Sequence, residues 1–303
     1  MGEAYADVAL TAITSVRAVG TTHDLVVLVW NLRKALVQRL SMVATSVEHI
    51  SQTFPCPHNV ERRGEMNKNQ YLMCSKIPLL LRLTQYSRVL FLDSDVVLTE
   101  NIDYLFTAAL TPSTSNSSFW IAGTHNPKNA QEIAADGTPA KSAELRFNGG
   151  LMLLEPTEEA AVAFDTFLTR KRRENEVAPW TSRRADQELT SEFFESQGGI
   201  RWLGCELNWG VWNMGLRGRE LAEWAERHPP KVLHFSGNFK PWLAKDELAW
   251  SHLVKDRKVR SLGRRFACVW HRFHEQAMLS IAQNPLSSLQ ADEVTNASLC
   301  SSK

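Results

Sequence analysis

Apolar positions in this chain alternate between two spacings. Some are helical stripes, such as Val8, Leu10, Ile13 and Val16 before Gly20, and the segment Leu32 to Leu40. Others are short continuous runs of the kind that strands make when both faces are covered: Leu25 to Trp30, Val89 to Leu92, Phe119 to Ala122, Gly150 to Leu154, and Lys231 to Phe235. Helices are further expected over Leu79–Tyr86, from Thr157 to about Arg173, over Asp186–Phe194 and from Asp246 to about Gln283, with a short one at Asn101–Phe106. Glu158 and Glu159 suit the positive end of the helix that they open. Residues 51–70, 111–118 and 126–142 carry Pro, Gly, Asn and Ser and read as connections. Strands interleaved with helices indicate an α/β fold with a mainly parallel sheet flanked by helices.

Charge enters at one strand end. The run Arg88-Val-Leu-Phe-Leu-Asp93-Ser94-Asp95 passes from apolar residues straight into two carboxylates. In open α/β sheets ligands sit beyond the carboxyl ends of strands. Paired carboxylates at such a place call for a compensating charge, most simply a divalent cation holding phosphates. A second strand end supplies His234-Phe-Ser-Gly237-Asn-Phe-Lys240-Pro241-Trp242. Imidazole suits a manganese-type ion already bound by two acids, Gly237 lets backbone approach a phosphate, and Lys240 offers it a point charge. Asn148 and Gly149, opening the strand at 150–154, could face a ligand with both donor and acceptor groups. Asp186 and Gln187 open a helix, and Asn208 lies in a turn-like Leu-Asn-Trp-Gly stretch.

These elements, in this order, resemble glycosyltransferase family 8, in particular its glycogenin-like branch, which includes the plant glycogenin-like glucuronosyltransferases. The resemblance rests on Leu83 to Phe106, Phe147-Asn-Gly-Gly-Leu151, Asp186-Gln187, Asn208 and Lys231 to Trp242, and covers roughly residues 4 to 250. It implies a GT-A fold over 1–245, a UDP-sugar donor and Mn2+. Asp93, Asp95 and His234 would hold the metal, and Gly237 and Lys240 would contact the diphosphate. Ser94 would lie near the ribose, and Asn148 and Gly149 beside the donor sugar. Tyr5, Lys76 and Asn208 would complete the donor site, with Asp186 and Gln187 on the catalytic side. Asp186 is the candidate nucleophile by position. A same-face attack by the acceptor, assisted by a leaving phosphate oxygen, needs none and is the mechanism expected here.

Departures from the family pattern shape the remaining expectations. The family's first strand precedes an Ala-Tyr matched here by Ala4-Tyr5, so that strand is expected to be missing, through truncation at the start or in a degenerate, weakly active form. Arg183-Arg184-Ala185 replaces the residues that usually precede Asp-Gln, which bears on donor choice. The four tyrosines, 5, 71, 86 and 104, all precede Asn208, so an external acceptor is expected instead of self-glucosylation. The reading is a retaining hexosyltransferase moving a glucose-like or glucuronic acid unit to a carbohydrate, protein or lipid, with room for a homodimer. The alternative is an inactive or weakly active homologue serving as a binding or scaffolding protein.

Composition changes this picture little. The 303 residues carry a net charge of +1, which argues against bulk capture of nucleic acid. Five widely spaced cysteines, an odd number without a Cys-x-x-Cys pair, favour reduced thiols. No apolar run reaches the about 18 residues of a membrane span, and Met1–Ala6 lacks the features of a secretion signal. The compartment stays open between cytoplasm and Golgi. Residues 246–283 form a basic helical extension in this reading, and 284–303 a Ser-rich tail.

Overall fold

A computed structural model describes residues 4–54, 56, 74–108, 119–177, 185–197, 199–211, 218–237, 240–243 and 254–283. Among the described residues nine strands lie in three sheets: β1 (Val26–Val29) with β2 (Ser46–His49), β3 (Val89–Leu92) with β6 (Phe147–Leu154), β5 (Ile121–His125) and β7 (Ile200–Leu203), and β4 (Val96–Leu98) with β9 (Val232–His234) and β8 (Trp209–Gly210). Helices α1 (Ala4–Ala18), α2 (Lys34–Ser41), α3 (Lys76–Leu80), α4 (Glu158–Val177), α5 (Ala185–Ser196), α6 (Arg219–Arg227) and α7 (Arg257–Ala282) surround them.

The sheets are mixed, which corrects the expectation of a mainly parallel arrangement. β1–β2, β5–β7 and β8–β9 pair in parallel, whereas β3–β6, β5–β6 and β4–β9 pair antiparallel. The apolar run of β6 is buried along its whole length. Such a run reads the same whichever way its neighbours point, so orientation was not visible in it.

β3 is a different case. It ends its sheet, pairing with β6 alone among the described residues, and all four of its residues are only part-buried. β1 likewise pairs with β2 alone, and three of its four residues are part-buried. α1 packs beneath both: Ala9 and Leu10 share a cluster with Val27 and Val29, and Ala12 and Val16 share one with Leu90, Leu92, Val96 and Leu98.

Other boundaries follow local chemistry. Gly20 adopts φ +86° two residues after α1, the left-handed stop that glycine permits without strain. α3 is shorter than the helix expected over 79–86 and begins earlier, at Lys76. α7 runs from an Asp256 cap, whose side chain accepts from the backbone N–H of Lys258 and Val259. Its Val259, Leu262, Phe266 and Trp270 bury in one cluster with Val8, Val97, Trp209, Leu233 and Phe235. Cys56 and Cys74 form a disulfide, correcting the expectation of reduced thiols throughout. An odd count cannot reveal a pair that only the fold brings together. The linker expected at 111–118, the Arg183-Arg184 pair and the tail from 284 lie outside the described residues.

Candidate metal and donor site

The site forms where two sheets meet. β3 delivers Asp93, whose backbone N–H donates to Gly150 O (2.9 Å) on the antiparallel neighbour β6. The chain crosses at Ser94, and Asp95 then leads into β4, which pairs antiparallel with β9 so that Val96 faces His234. Phe235 N donates to Asp95 O (2.9 Å), closing the joint. Segments about 140 residues apart in sequence are thus held together by backbone hydrogen bonds, not by side chains alone.

Asp93, Asp95 and His234 each offer a ligand atom, all within 4.8 Å of one another. His234 Nε2 lies 3.2 Å from Asp95 Oδ1 and 3.8 Å from Asp93 Oδ2. Oxygen donors stand about 2.0–2.6 Å from a bound divalent cation, so donors flanking one ion are up to about 5 Å apart. The spread fits. Two carboxylates with one imidazole also make a donor set suited to Mn2+ or a similar ion.

Two lysines stand on either side. Lys76, at the start of α3, places Nζ 2.8 Å from Asp93 Oδ1 and 3.6 Å from Asp186 Oδ2. Burial works against its charge, but Asp93 and Asp186 outweigh it and raise its pKa above the ordinary lysine value. Lys240 places Nζ 2.7 Å from Asp95 Oδ2 and 2.6 Å from Phe235 O, over the ring of Trp242. Burial resists ionisation of Asp95 as well, yet His234 and Lys240 hold its carboxyl below the usual carboxylate range.

The remaining sequence-derived candidates fall around this centre. Asn148 is buried, and its Oδ1 accepts from Gly150 N at 3.1 Å. Gly149 lies against α5: a Cβ there would come 3.6 Å from Gln187 Cγ and 4.0 Å from Asp186 Oδ2. Asp186 is 6 % exposed, with Oδ1 lacking a hydrogen-bond partner among the described residues. Burial raises its pKa, Lys76 opposes, and Asp93 adds to the rise. Ser94 is part-buried between the two ligands, and Gly237 is exposed with φ +76°. Tyr5 reaches the site at second hand, packing edge-on against Trp242 at 6.0 Å. Asn208, buried, bonds to His234.

Residues missed from sequence are those that support these. Trp242 packs on Trp270 of α7 (5.5 Å), which stacks on His274 (4.8 Å), which bonds to Thr11 of α1 (3.1 Å). Spacing along one helix gave no sign that its interior tryptophan would back the Lys-Pro-Trp turn.

A family model for "Glycosyl transferase family 8" matches residues 2–246. The chain belongs to glycosyltransferase family 8. Within it the chain sits in the glycogenin-like branch, being 27% identical over 247 residues to a protein named as a putative UDP-glucuronate:xylan alpha-glucuronosyltransferase 3 of Arabidopsis thaliana. It is 25% identical over 239 residues to UDP-glucuronate:xylan alpha-glucuronosyltransferase 1 of the same plant. Each match takes in 78% of this chain, which spans only about a third of either relative, 32% and 30%. Among solved structures, the galactosyltransferase LgtC bound to donor and acceptor sugar analogues superposes with a TM-score of 0.57 at 17% identity, over 91% of this chain and 92% of that one. The Streptococcus pneumoniae glycosyltransferase GlyE gives 0.51 at 16% identity, over 88% and 62%. These likenesses show a GT-A fold. As a family 8 member the chain carries a glycosyltransferase domain.

Proposed function

We propose that this family 8 chain is a retaining, Mn2+-dependent hexosyltransferase that moves glucuronic acid, or a glucose-like unit, from its UDP-sugar to an external carbohydrate acceptor. The observation that carries the reading is the convergence of Asp93, Asp95 and His234 within 4.8 Å, flanked by Lys76 and Lys240. Glucuronate is favoured over glucose because both Arabidopsis relatives carry it in their names.

The chemistry follows from charge. Cleaving the sugar–phosphate bond leaves UDP with additional negative charge, and a bound divalent ion would offset it as it develops. Lys240 can add a second positive charge on the same side. Gly237, in its left-handed conformation, lets backbone come close to phosphate oxygens. On the opposite side, Oδ1 of Asp186, unpartnered among the described residues, is an acceptor for a sugar hydroxyl, and Lys76 orients the same carboxylate. The acceptor hydroxyl attacks from the face that UDP leaves and gives its proton to the departing phosphate oxygen, so no enzyme nucleophile is required.

UDP release measured with UDP-glucuronate, UDP-glucose and UDP-galactose in the presence of xylo-oligosaccharides tests this reading. The expected result is Mn2+-dependent turnover, greatest with UDP-glucuronate. Asp93→Asn and Asp95→Asn should each cost at least about a hundredfold, roughly 3 kcal/mol of barrier. Absence of turnover with every donor would leave the scaffolding alternative standing. The Cys56–Cys74 disulfide supports an oxidising, Golgi-like compartment over the cytoplasm. Among the described residues no helix is long and apolar enough to cross a membrane.

A further inference from the structure

Buried contacts behind the ligand set assign a role that lies outside the donor site. Asn208 ends a 3-10 turn at Cys205–Asn208, just before β8, and is 2 % exposed. Its Oδ1 stands 2.9 Å from His234 Nδ1, and its Nδ2 stands 3.5 Å from the carbonyl oxygen of Asn148. The amide orientation is the one that lets Nδ2 donate to that carbonyl, since a flipped side chain would set two acceptor oxygens 3.5 Å apart. With Oδ1 facing the ring, Nδ1 of His234 must be the protonated nitrogen.

In the neutral ring that leaves Nε2 with a bare lone pair beside Asp95 Oδ1 at 3.2 Å and Asp93 Oδ2 at 3.8 Å. Three electron-rich atoms facing one another repel. A cation among them turns that repulsion into binding. The opposite tautomer would present an N–H to the same place and offer no ligand. Gly150 completes the arrangement from β6, in the other sheet. A Cβ there would collide with Cε1 and Nδ1 of His234 and come 3.1 Å from Asn208 Oδ1. The Cε1–Nδ1 edge of the imidazole therefore sits against a bare stretch of β6, with Asn208 at Nδ1 and the carboxylates beside Nε2.

We propose that Asn208 is a positioning residue for the metal centre: it locks the Nδ1–H tautomer of His234, and Gly150 supplies the space in which that ring is held. The proposal rests on the metal-binding reading above. Neighbours that fix a ligating imidazole in this way are worth roughly 10- to 100-fold in metal affinity.

The test is Mn2+ titration of the full chain, followed by the electron paramagnetic resonance signal of free Mn2+. Asn208→Leu keeps the size and deletes the acceptor, and should weaken Mn2+ binding by roughly 10- to 100-fold. Asn208→Asp keeps the acceptor and should stay within a few-fold of the unaltered protein. Gly150→Ala, which forces the ring to move, should weaken binding at least as much as Asn208→Leu. Equal affinity in the unaltered protein and Asn208→Leu would overturn the proposal. If the unaltered protein itself binds no Mn2+, the metal reading fails instead, and the two failures are distinguishable. A second measurement needs no folded variant at position 208. Nitrogen-15 NMR of the neutral ring in histidine-labelled protein, with His234 assigned by loss of its signal in His234→Gln, should find the proton on Nδ1. A proton on Nε2 would overturn the proposal independently of affinity.

Discussion

Asp186 and Asp95 lie in one site and respond to pH in opposite directions. Burial raises the pKa of Asp186 above that of an unfolded aspartate, about 3.9, so keeping it ionised costs stability. That cost begins as pH rises above about 4 and is complete above the folded-state value. Asp186→Asn removes it. The variant should melt a few degrees above the unaltered protein at pH 7, lose that advantage at pH 4, and transfer sugar poorly, all readable by melting curves beside the UDP-release assay. Equal midpoints at pH 7 would mean that Lys76 fully compensates the charge. Asp95 works the other way. Its carboxyl is held below the usual range, so its stabilising contribution is present above about pH 4 and is lost as pH falls further. Asp95→Asn should therefore lower the midpoint at pH 7 and have little effect in strong acid.

At the scale of elements, α7 is the surprise. Read along the sequence it is a basic stripe, and several of its cations do pair at the surface, Lys258 and Arg265 with Glu226 of α6. Its other face carries Trp270, 2 % exposed, which supports Trp242 beneath Lys240. Trp270→Ala should cost about 3–5 kcal/mol in denaturant unfolding. Trp270→Phe should recover most of that and keep Lys240 in place, seen as an unchanged KM for the donor. The ligand block at Asp93 was legible because an apolar strand ending in acids is an unusual local pattern. β2, with the polar sequence Ser-Val-Glu-His, and β7, with alternating Ile-Arg-Trp-Leu, carried too few signals to stand out from loop. Asn208 was recognised as part of the site but given to the donor. Its bond to His234, 26 residues away, exists only because β8 and β9 run side by side.

For the molecule as a whole, the disulfide and the sheet borders matter most. Cys56–Cys74 ties the chain just ahead of Lys76, and closing a loop of this size is worth about 3 kcal/mol. Reductant, or Cys56→Ser, should lower the melting midpoint and loosen the lysine that faces Asp93 and Asp186. Nothing in the spacing of five cysteines foretold this pairing. The last consequence concerns β1 and β3. Each has one side free of a described neighbour, and the apolar side chains Val26, Val27, Leu28, Leu90, Phe91 and Leu92 along them are incompletely covered. Borders of that kind recruit other polypeptides by extending a ladder. Concentrated samples of this polypeptide should accordingly scatter more light with time. A charged replacement on the rim, Leu90→Lys, should slow that growth even where it costs some thermal resistance.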